Sequence, residues 1–345
     1  MMKDFVYGLP MAVMNLLVVF GLFEIYVRIT QTDVANFDIE MWLYVREMKQ
    51  VNDVPGMGHE HVLHQSRTYM GVSISINSVG WRDEEYPLEK LQDTERIMML
   101  GDSLTLGWGT PLESVTSTVL ENLLNESGVR KYKVLNTGVD NANTAMQTAY
   151  FLHEGFRFQP DIAVLNYFIN DAELPPTRTE NFLVEHSYAA VFLSGRLNIL
   201  MRTYWGQDDW RAYYRNLYDD NQSGWRNTTQ AFGKLARFCR ERGIDLLVAN
   251  YPELHQLIPY PFQDIMNLIA DQVKAHDISF YDLLLAVERE EPRSLWVNPT
   301  DAHPNGKAGR LFAARLRDCV RTSYPVKGTS NFSRCPTEPF PSSVG

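Results

Sequence analysis

Ser103 follows the apolar run Met98-Met99-Leu100 through a Gly101-Asp102 turn, an arrangement that lifts one hydroxyl out of the end of a strand. An alcohol is a poor nucleophile at neutral pH, so attack on a carbonyl carbon requires a base within hydrogen-bond reach of Ser103. His303, in Asp301-Ala302-His303-Pro304, is the best candidate in the chain. Its pKa lies near working pH, and a carboxylate that keeps one ring nitrogen protonated leaves the other free to accept the serine proton. Asp301 is placed to be that carboxylate. Attack also builds an oxyanion, and losing one preorganised donor to it costs ~10²–10³ in rate. The backbone N–H of Ser103, the backbone N–H of Gly138 in Asn136-Thr137-Gly138, and the side-chain amide of Asn170 in Ile169-Asn170-Asp171 supply three such donors.

Each of these sites has an ordinary reading when taken alone. Ser103 could cap the following helix, Gly138 could be a turn glycine, Asn170-Asp171 could end a strand, and His303-Pro304-Asn305-Gly306 could be a loop before a helix. Their coincidence in one order, each at the end of a predicted strand or the start of a predicted helix, separates the readings. Together they resemble the GDSL, or SGNH, hydrolase family over roughly residues 95 to 320. That resemblance implies Ser103 as nucleophile, Gly138 and Asn170 as oxyanion donors and His303 as base. Two positions depart from it. Phe168 stands where the third block usually has glycine, which implies a narrower approach to the oxyanion site. Thr300 occupies the place, three before the histidine, where many members carry the acid; related polysaccharide-modifying members use the shorter spacing of Asp301, and a Ser-His dyad is the alternative.

The 345 residues are 45% hydrophobic and 21% charged, ordinary globular material for one large domain with appendages. A formal net charge of −10, with no dense Lys/Arg run, argues against a nucleic-acid partner. From Phe5 to Phe23 no residue is charged, and at ~1.5 Å per residue such a helix approaches the ~30 Å apolar thickness of a bilayer. Glu24-Ile25-Tyr26-Val27-Arg28 offers no small-residue cleavage site, so an uncleaved single-pass anchor over 1–29 is favoured over a signal peptide. Lys3 before the segment and Arg28 after it give a slight preference for the N-terminus inside, which places the catalytic domain outside the cytoplasm. Glu24, Asn15 and Pro10 are candidates for contact with a partner helix. Of the three cysteines, Cys319 and Cys335 could close a short loop, with free buried thiols the simpler expectation. The cluster His59, His61 and His64 does not have the spacing of a His-Glu-x-x-His zinc helix; neither metal nor cofactor is expected.

The organising elements follow from periodicity. Residues 30–95 form an N-terminal extension in which Val72, Ile74 and Ile76 alternate with polar residues as a short strand. Strands are predicted at 96–100, 132–136, 161–168, 245–250 and 278–282, and helices near 113–125, 143–156, 227–242, 262–275 and 305–321. Continuous apolar runs such as Ile162-Ala163-Val164-Leu165 mark strands covered on both faces. The fold class is therefore α/β, a parallel sheet in a three-layer α/β/α sandwich over 96–324, flavodoxin-like by the resemblance, with ligands at the carboxyl strand ends. An insertion over 171–226, rich in Tyr and Trp, reads as a helical cap that could also be a lid shaping the substrate entrance. Residues 325–345 read as a disordered tail.

The expected function is a membrane-anchored serine esterase that hydrolyses or transfers an acyl group, most plausibly acetyl, on an extracytoplasmic, periplasmic substrate such as a polysaccharide or a small ester. The alternative is a catalytically silent subunit that uses this fold to dock onto a membrane-complex partner.

Overall fold

The computed structural model describes residues 2–30, 36–128, 130–175, 182–205, 210–323 and 335. Helix α1 (Met2–Thr30) and helix α2 (Phe37–Met48) lead into two small two-stranded sheets, β1 (Lys49–Val51) with β2 (His59–His61), and β3 (Ser66–Tyr69) with β4 (Val72–Ser75). The alternating core follows: β5 (Thr94–Leu100), α3 (Ser103–Leu106), α4 (Thr116–Asn125), β6 (Lys131–Asn136), α5 (Thr144–His153) and β7 (Ile162–Tyr167). Next come α6 (Phe182–His186), α7 (Tyr188–Trp205), α8 (Trp210–Leu217), α9 (Ser223–Arg242), β8 (Asp245–Asn250), α10 (Gln263–Ala275), β9 (Ser279–Asp282) and α11 (Leu284–Val287). The hairpin β10 (Trp296–Asn298) and β11 (Asp301–Pro304) precedes the last helix, α12 (Gly306–Ser323).

Five strands form one parallel sheet in the order β6-β5-β7-β8-β9. Successive side chains of a strand leave opposite faces, and both faces here are covered. Ile97, Met99, Ile162, Val164 and Leu247 join a core with Leu120 and Leu124 of α4 and Phe312, Leu316 and Val320 of α12. Met98, Leu100, Ala163, Leu165 and Val248 join another with Phe151 of α5, Phe232 and Leu235 of α9, and Ile265 and Ile269 of α10. This three-layer α/β/α arrangement explains why the strand sequences read as unbroken apolar runs.

The described chain divides into two compact units. The larger comprises Met48–Thr68, Val72–Pro176 and Trp210–Gly345 and contains the sheet. The smaller comprises Met1–Glu47, Tyr69–Gly71 and Thr177–Asp209. Within the smaller unit, α7 lies along α1: Val27, Ile39 and Val191 share a small core, and Phe23 meets Phe192 edge-on. Glu24 accepts hydrogen bonds from the Ser187 hydroxyl (2.7 Å) and the Ala189 amide (2.8 Å), capping the first turn of α7. Its partner is thus a helix of this chain. Among the described residues, Pro10–Thr30 is long and apolar enough to cross a membrane, with a mean hydropathy of 1.9.

The single helical cap expected over 171–226 is divided between the units: α6 and α7 belong with α1, and α8 belongs with the sheet. Among its described aromatic rings, Trp210 and Tyr214 pack on Phe262 and Tyr218 on Trp225. Cys319 and Cys335 are bonded to each other rather than free, and Cys335 is buried in the core beside α12. Except for Cys335, the predicted tail lies outside the described residues.

Candidate active site

The turn after β5 is built so that Ser103 does not have to cap its own helix. Asp102 is the N-cap residue of α3, its Oδ1 accepting the Leu104 amide at 2.9 Å, which leaves the Ser103 hydroxyl available. Gly101 is needed for space, since a Cβ there would lie 1.9 Å from Thr105 Oγ1. The far end of α3 is tied down from the N-terminal extension: the buried Arg82 guanidinium donates to the carbonyls of Leu106, Gly107 and Thr110. Of these, the Leu106 carbonyl belongs to the last residue of α3 and is one that a short helix leaves without an intrahelical partner.

Ser103 and His303, 200 positions apart, meet with Oγ 2.9 Å from Nε2. His303 Nδ1 lies 2.6 Å from Asp301 Oδ1, and the same oxygen accepts the His303 backbone amide at 3.0 Å. Asp301 Oδ2 accepts the indole N–H of Trp108 at 3.1 Å. Because a carboxylate can only accept, Nδ1 carries the proton and Nε2 presents a lone pair to the serine hydroxyl. Burial pushes the Asp301 carboxyl up, but the hydrogen bond and charge of His303 and the Trp108 donor bring it net below the usual carboxylate range. Burial likewise pulls His303 down, and the hydrogen bond and charge of Asp301, with the charges of Asp102 and Asp140, carry it net above the ordinary imidazole value. Thr300 is exposed and turns its hydroxyl to Asn298 Oδ1, so Asp301 is the carboxylate on the imidazole.

Asn170 sits in a one-turn 3-10 segment, Ile169–Ala172, directly after β7 and lines a cleft with Asp102, Asn141, Asn143, Asp171 and Glu173. Phe168, at φ −127°, is in extended backbone that any residue adopts, and its side chain packs against the core.

Gly138, expected as an oxyanion donor, turns its N–H to a nearby side chain. Its N–H donates to Asn136 Oδ1 at 3.0 Å and is already committed. The residue must be glycine for another reason: a Cβ would stand 2.2 Å from the Leu106 backbone nitrogen, so the loop after β6 runs directly against α3. Asn141, three residues on, lines the cleft beside Asn170 and has φ +60°, the left-handed region that Asn tolerates better than most residues. Among the described residues nothing accepts its backbone N–H. Asn141 was not legible because Asn143-Thr144, the N-cap of α5, and Asp140-Asn141 are equally good turn sequences. Trp108 was missed as well; its only signal is the rule that a buried indole N–H needs an acceptor.

Two carboxyls lie under the cleft. Burial, above all, raises Asp102 above the usual carboxylate range, and burial together with the charge of Asp102 raises Asp171 well above it. Asp102 Oδ2 and Asp171 Oδ1 have no hydrogen-bond partner among the described residues. His61 gives Nδ1 to the Gly80 carbonyl at 2.7 Å and His59 gives Nε2 to the Asp140 carbonyl at 2.9 Å, so both rings serve hydrogen bonds to backbone.

No family model matches the chain, and no curated protein matches it. Solved structures similar to it include a lipolytic protein of the G-D-S-L family from Desulfitobacterium hafniense (11% identity, 64% of this chain and 97% of that chain, TM-score 0.40). TesA is similar at 14% identity, covering 64% of this chain and 94% of that chain with a TM-score of 0.41. A catalytic mutant of an acetylxylan esterase from Geobacillus stearothermophilus is similar at 14% identity, covering 69% of this chain and 95% of that chain with a TM-score of 0.43. These TM-scores are below 0.5, and the function is therefore read from the site's own geometry.

Proposed function

We propose that the protein is a serine esterase that uses Ser103 as nucleophile, His303 as general base and Asp301 as the residue that fixes the imidazole. The observation that carries this is the unbroken chain from Ser103 Oγ through His303 to Asp301 and Trp108. His303 Nε2 takes the serine proton as Oγ bonds to the carbonyl carbon, and returns it to the leaving alcohol as the acyl-enzyme forms. Water then repeats the sequence and releases the acid; a sugar hydroxyl in its place makes the reaction a transfer. The oxyanion is met by the Ser103 N–H, the Asn170 amide and, in place of Gly138, the Asn141 N–H.

The substrate class is a small acyl ester, with acetyl the leading candidate, of a hydroxyl-rich alcohol such as a polysaccharide. What favours this is the polar cleft next to the Ser103 turn, lined by Asp102, Asn141, Asn143, Asn170, Asp171 and Glu173 with Ala142 and Leu174, whose polar groups suit a hydroxyl-rich alcohol. We place the catalytic unit outside the cytoplasm on an α1 anchor. The apolar α1 and the Cys319–Cys335 bond support that placement, since disulfides persist in oxidising compartments.

The deciding experiment is hydrolysis of p-nitrophenyl acetate by the detergent-solubilised full chain and by Ser103→Ala. The expected result is a loss of at least ~10³-fold in turnover. Equal turnover by the two proteins would leave the non-catalytic subunit as the surviving reading.

A further inference from the structure

Two donors from the β1–β2 hairpin converge on one backbone carbonyl beside the cleft. Lys49 Nζ donates to the Asp140 carbonyl at 2.7 Å and lies 3.3 Å from Asp140 Oδ2, while His59 Nε2 donates to the same carbonyl at 2.9 Å. The side chains of Lys49 and Asp140 are only 7% and 4% exposed, so this is an internal ion pair rather than a solvated one. Burial, and next the charge of Lys49, push His59 down to about 4, so the ring is neutral at pH 7 and carries its proton on the nitrogen that faces the carbonyl.

The Asp140 carbonyl shares its peptide unit with the Asn141 N–H, and in a planar trans peptide the two point in opposite directions. Fixing the oxygen therefore fixes the direction of the N–H. Donors on the oxygen also draw charge from the amide, and linked hydrogen bonds strengthen one another by about 10–30% each in a low-dielectric interior.

We propose that Lys49 and His59 are positioning residues for catalysis: by clamping the Asp140 carbonyl they hold Asn141 in its left-handed conformation and aim and strengthen its N–H as an oxyanion donor. The proposal rests on the esterase reading above. Neither side chain lines the cleft, so the clamp acts through the peptide bond and not on substrate. Its contribution is felt where negative charge develops, in kcat and not in KM.

The test uses the solubilised full chain with p-nitrophenyl acetate, on the high-pH plateau where His303 is neutral. Removing Lys49 alone would strand the Asp140 carboxylate in the interior, so the variant is Lys49→Met with Asp140→Asn, compared with Asp140→Asn alone. The expected result is a kcat about tenfold below that control, a fraction of what losing a whole donor costs, with KM within about twofold and Lys49→Arg retaining most of the activity. His59→Phe removes a neutral donor without touching a charge, carries the test should the double variant not fold, and is expected to lower kcat about threefold. A folded double variant with the kcat of its control, or His59→Phe with wild-type kcat, overturns the proposal. Turnover that survives Ser103→Ala overturns the esterase reading and this proposal with it, whereas Ser103-dependent turnover indifferent to Lys49 and His59 overturns this proposal alone.

Discussion

Replacing Asp301 by asparagine separates a working triad from a Ser-His dyad. Asp301 accepts from His303 Nδ1 at 2.6 Å, from the His303 amide at 3.0 Å and from Trp108 Nε1 at 3.1 Å, so both its oxygens are committed to donors. An asparagine keeps one acceptor oxygen and turns an NH₂ to the other side. If that oxygen stays with Trp108, the NH₂ faces Nδ1 and drives the imidazole proton to Nε2, where it can no longer receive the serine proton. If it stays with His303, a buried indole N–H faces a donor, and the charge that stabilises the imidazolium is gone in either case. The analogous tautomer error in a serine protease costs ~10⁴ in kcat, equivalent to about 5.5 kcal/mol of barrier; the same range, about 10³–10⁴, is expected for Asp301→Asn. The pH profile gives a second reading of the same variant. His303 serves as base only when neutral, and Asp301 is the chief cause of its raised pKa, so the wild-type acid limb of kcat/KM lies above the ordinary imidazole value. In Asp301→Asn, burial dominates and that limb moves to lower pH. Initial rates on p-nitrophenyl acetate from pH 5 to 9 test both. A variant within tenfold of wild type, with its acid limb unmoved, refutes the triad and leaves the dyad.

Trp108→Phe removes one donor from a buried carboxylate, a bond worth about 1.5–3 kcal/mol, and is expected to lower kcat/KM by about 10–100-fold in steady-state assays with the fold intact by circular dichroism. Gly138→Ala forces a methyl to 2.2 Å from the Leu106 nitrogen, and a destabilisation of about 1–3 kcal/mol or more is expected in thermal unfolding. Removing the Cys319–Cys335 link, whose ends are 16 positions apart, with Cys319→Ser and Cys335→Ser is expected to cost about 3 kcal/mol by denaturant titration. Burial, above all, lifts Asp83 to about 6, so the folded state holds that proton more tightly than the unfolded chain does. Its contribution to stability is complete below the unfolded value near 4 and is lost as pH rises through about 6. Asp83→Asn should therefore flatten the decline of unfolding free energy over that interval, and a slope equal to wild type would refute the assignment.

The sheet was legible because its strands are covered on both faces and so advertise themselves as apolar runs; β5, β6, β7, β8 and β9 fall where hydrophobicity and turn residues place them. The Ser103, His303 and Asp301 cluster was legible because the chemistry proposed for it restricts residue type so sharply. Backbone donors carry no such restriction. Any residue supplies an N–H, so nothing in the sequence distinguishes Gly138, whose N–H donates to Asn136 Oδ1, from Asn141, which reads as a turn residue. The supports from the N-terminal extension, Arg82 under α3 and Lys49 and His59 on Asp140, were invisible for a related reason: their partners are main-chain oxygens, which leave no mark on the sequence. The 171–226 insertion is ambiguous in sequence because its aromatic residues look alike whether they cover a cleft or fill a core. The choice of partner, Trp210 on Phe262 and Phe192 on Phe23, is made in three dimensions.

Asp301 and His303 sit two apart on β11, so their side chains leave the same face of one short strand and their mutual contact is a local matter. Only the distance to Ser103 has to be closed by the rest of the polypeptide. On the proposed esterase reading, a fluorophosphonate that labels an activated serine would thus count the molecules in which the hairpin is seated against α3. Such labelling would then gauge the integrity of the fold and not only the presence of the serine.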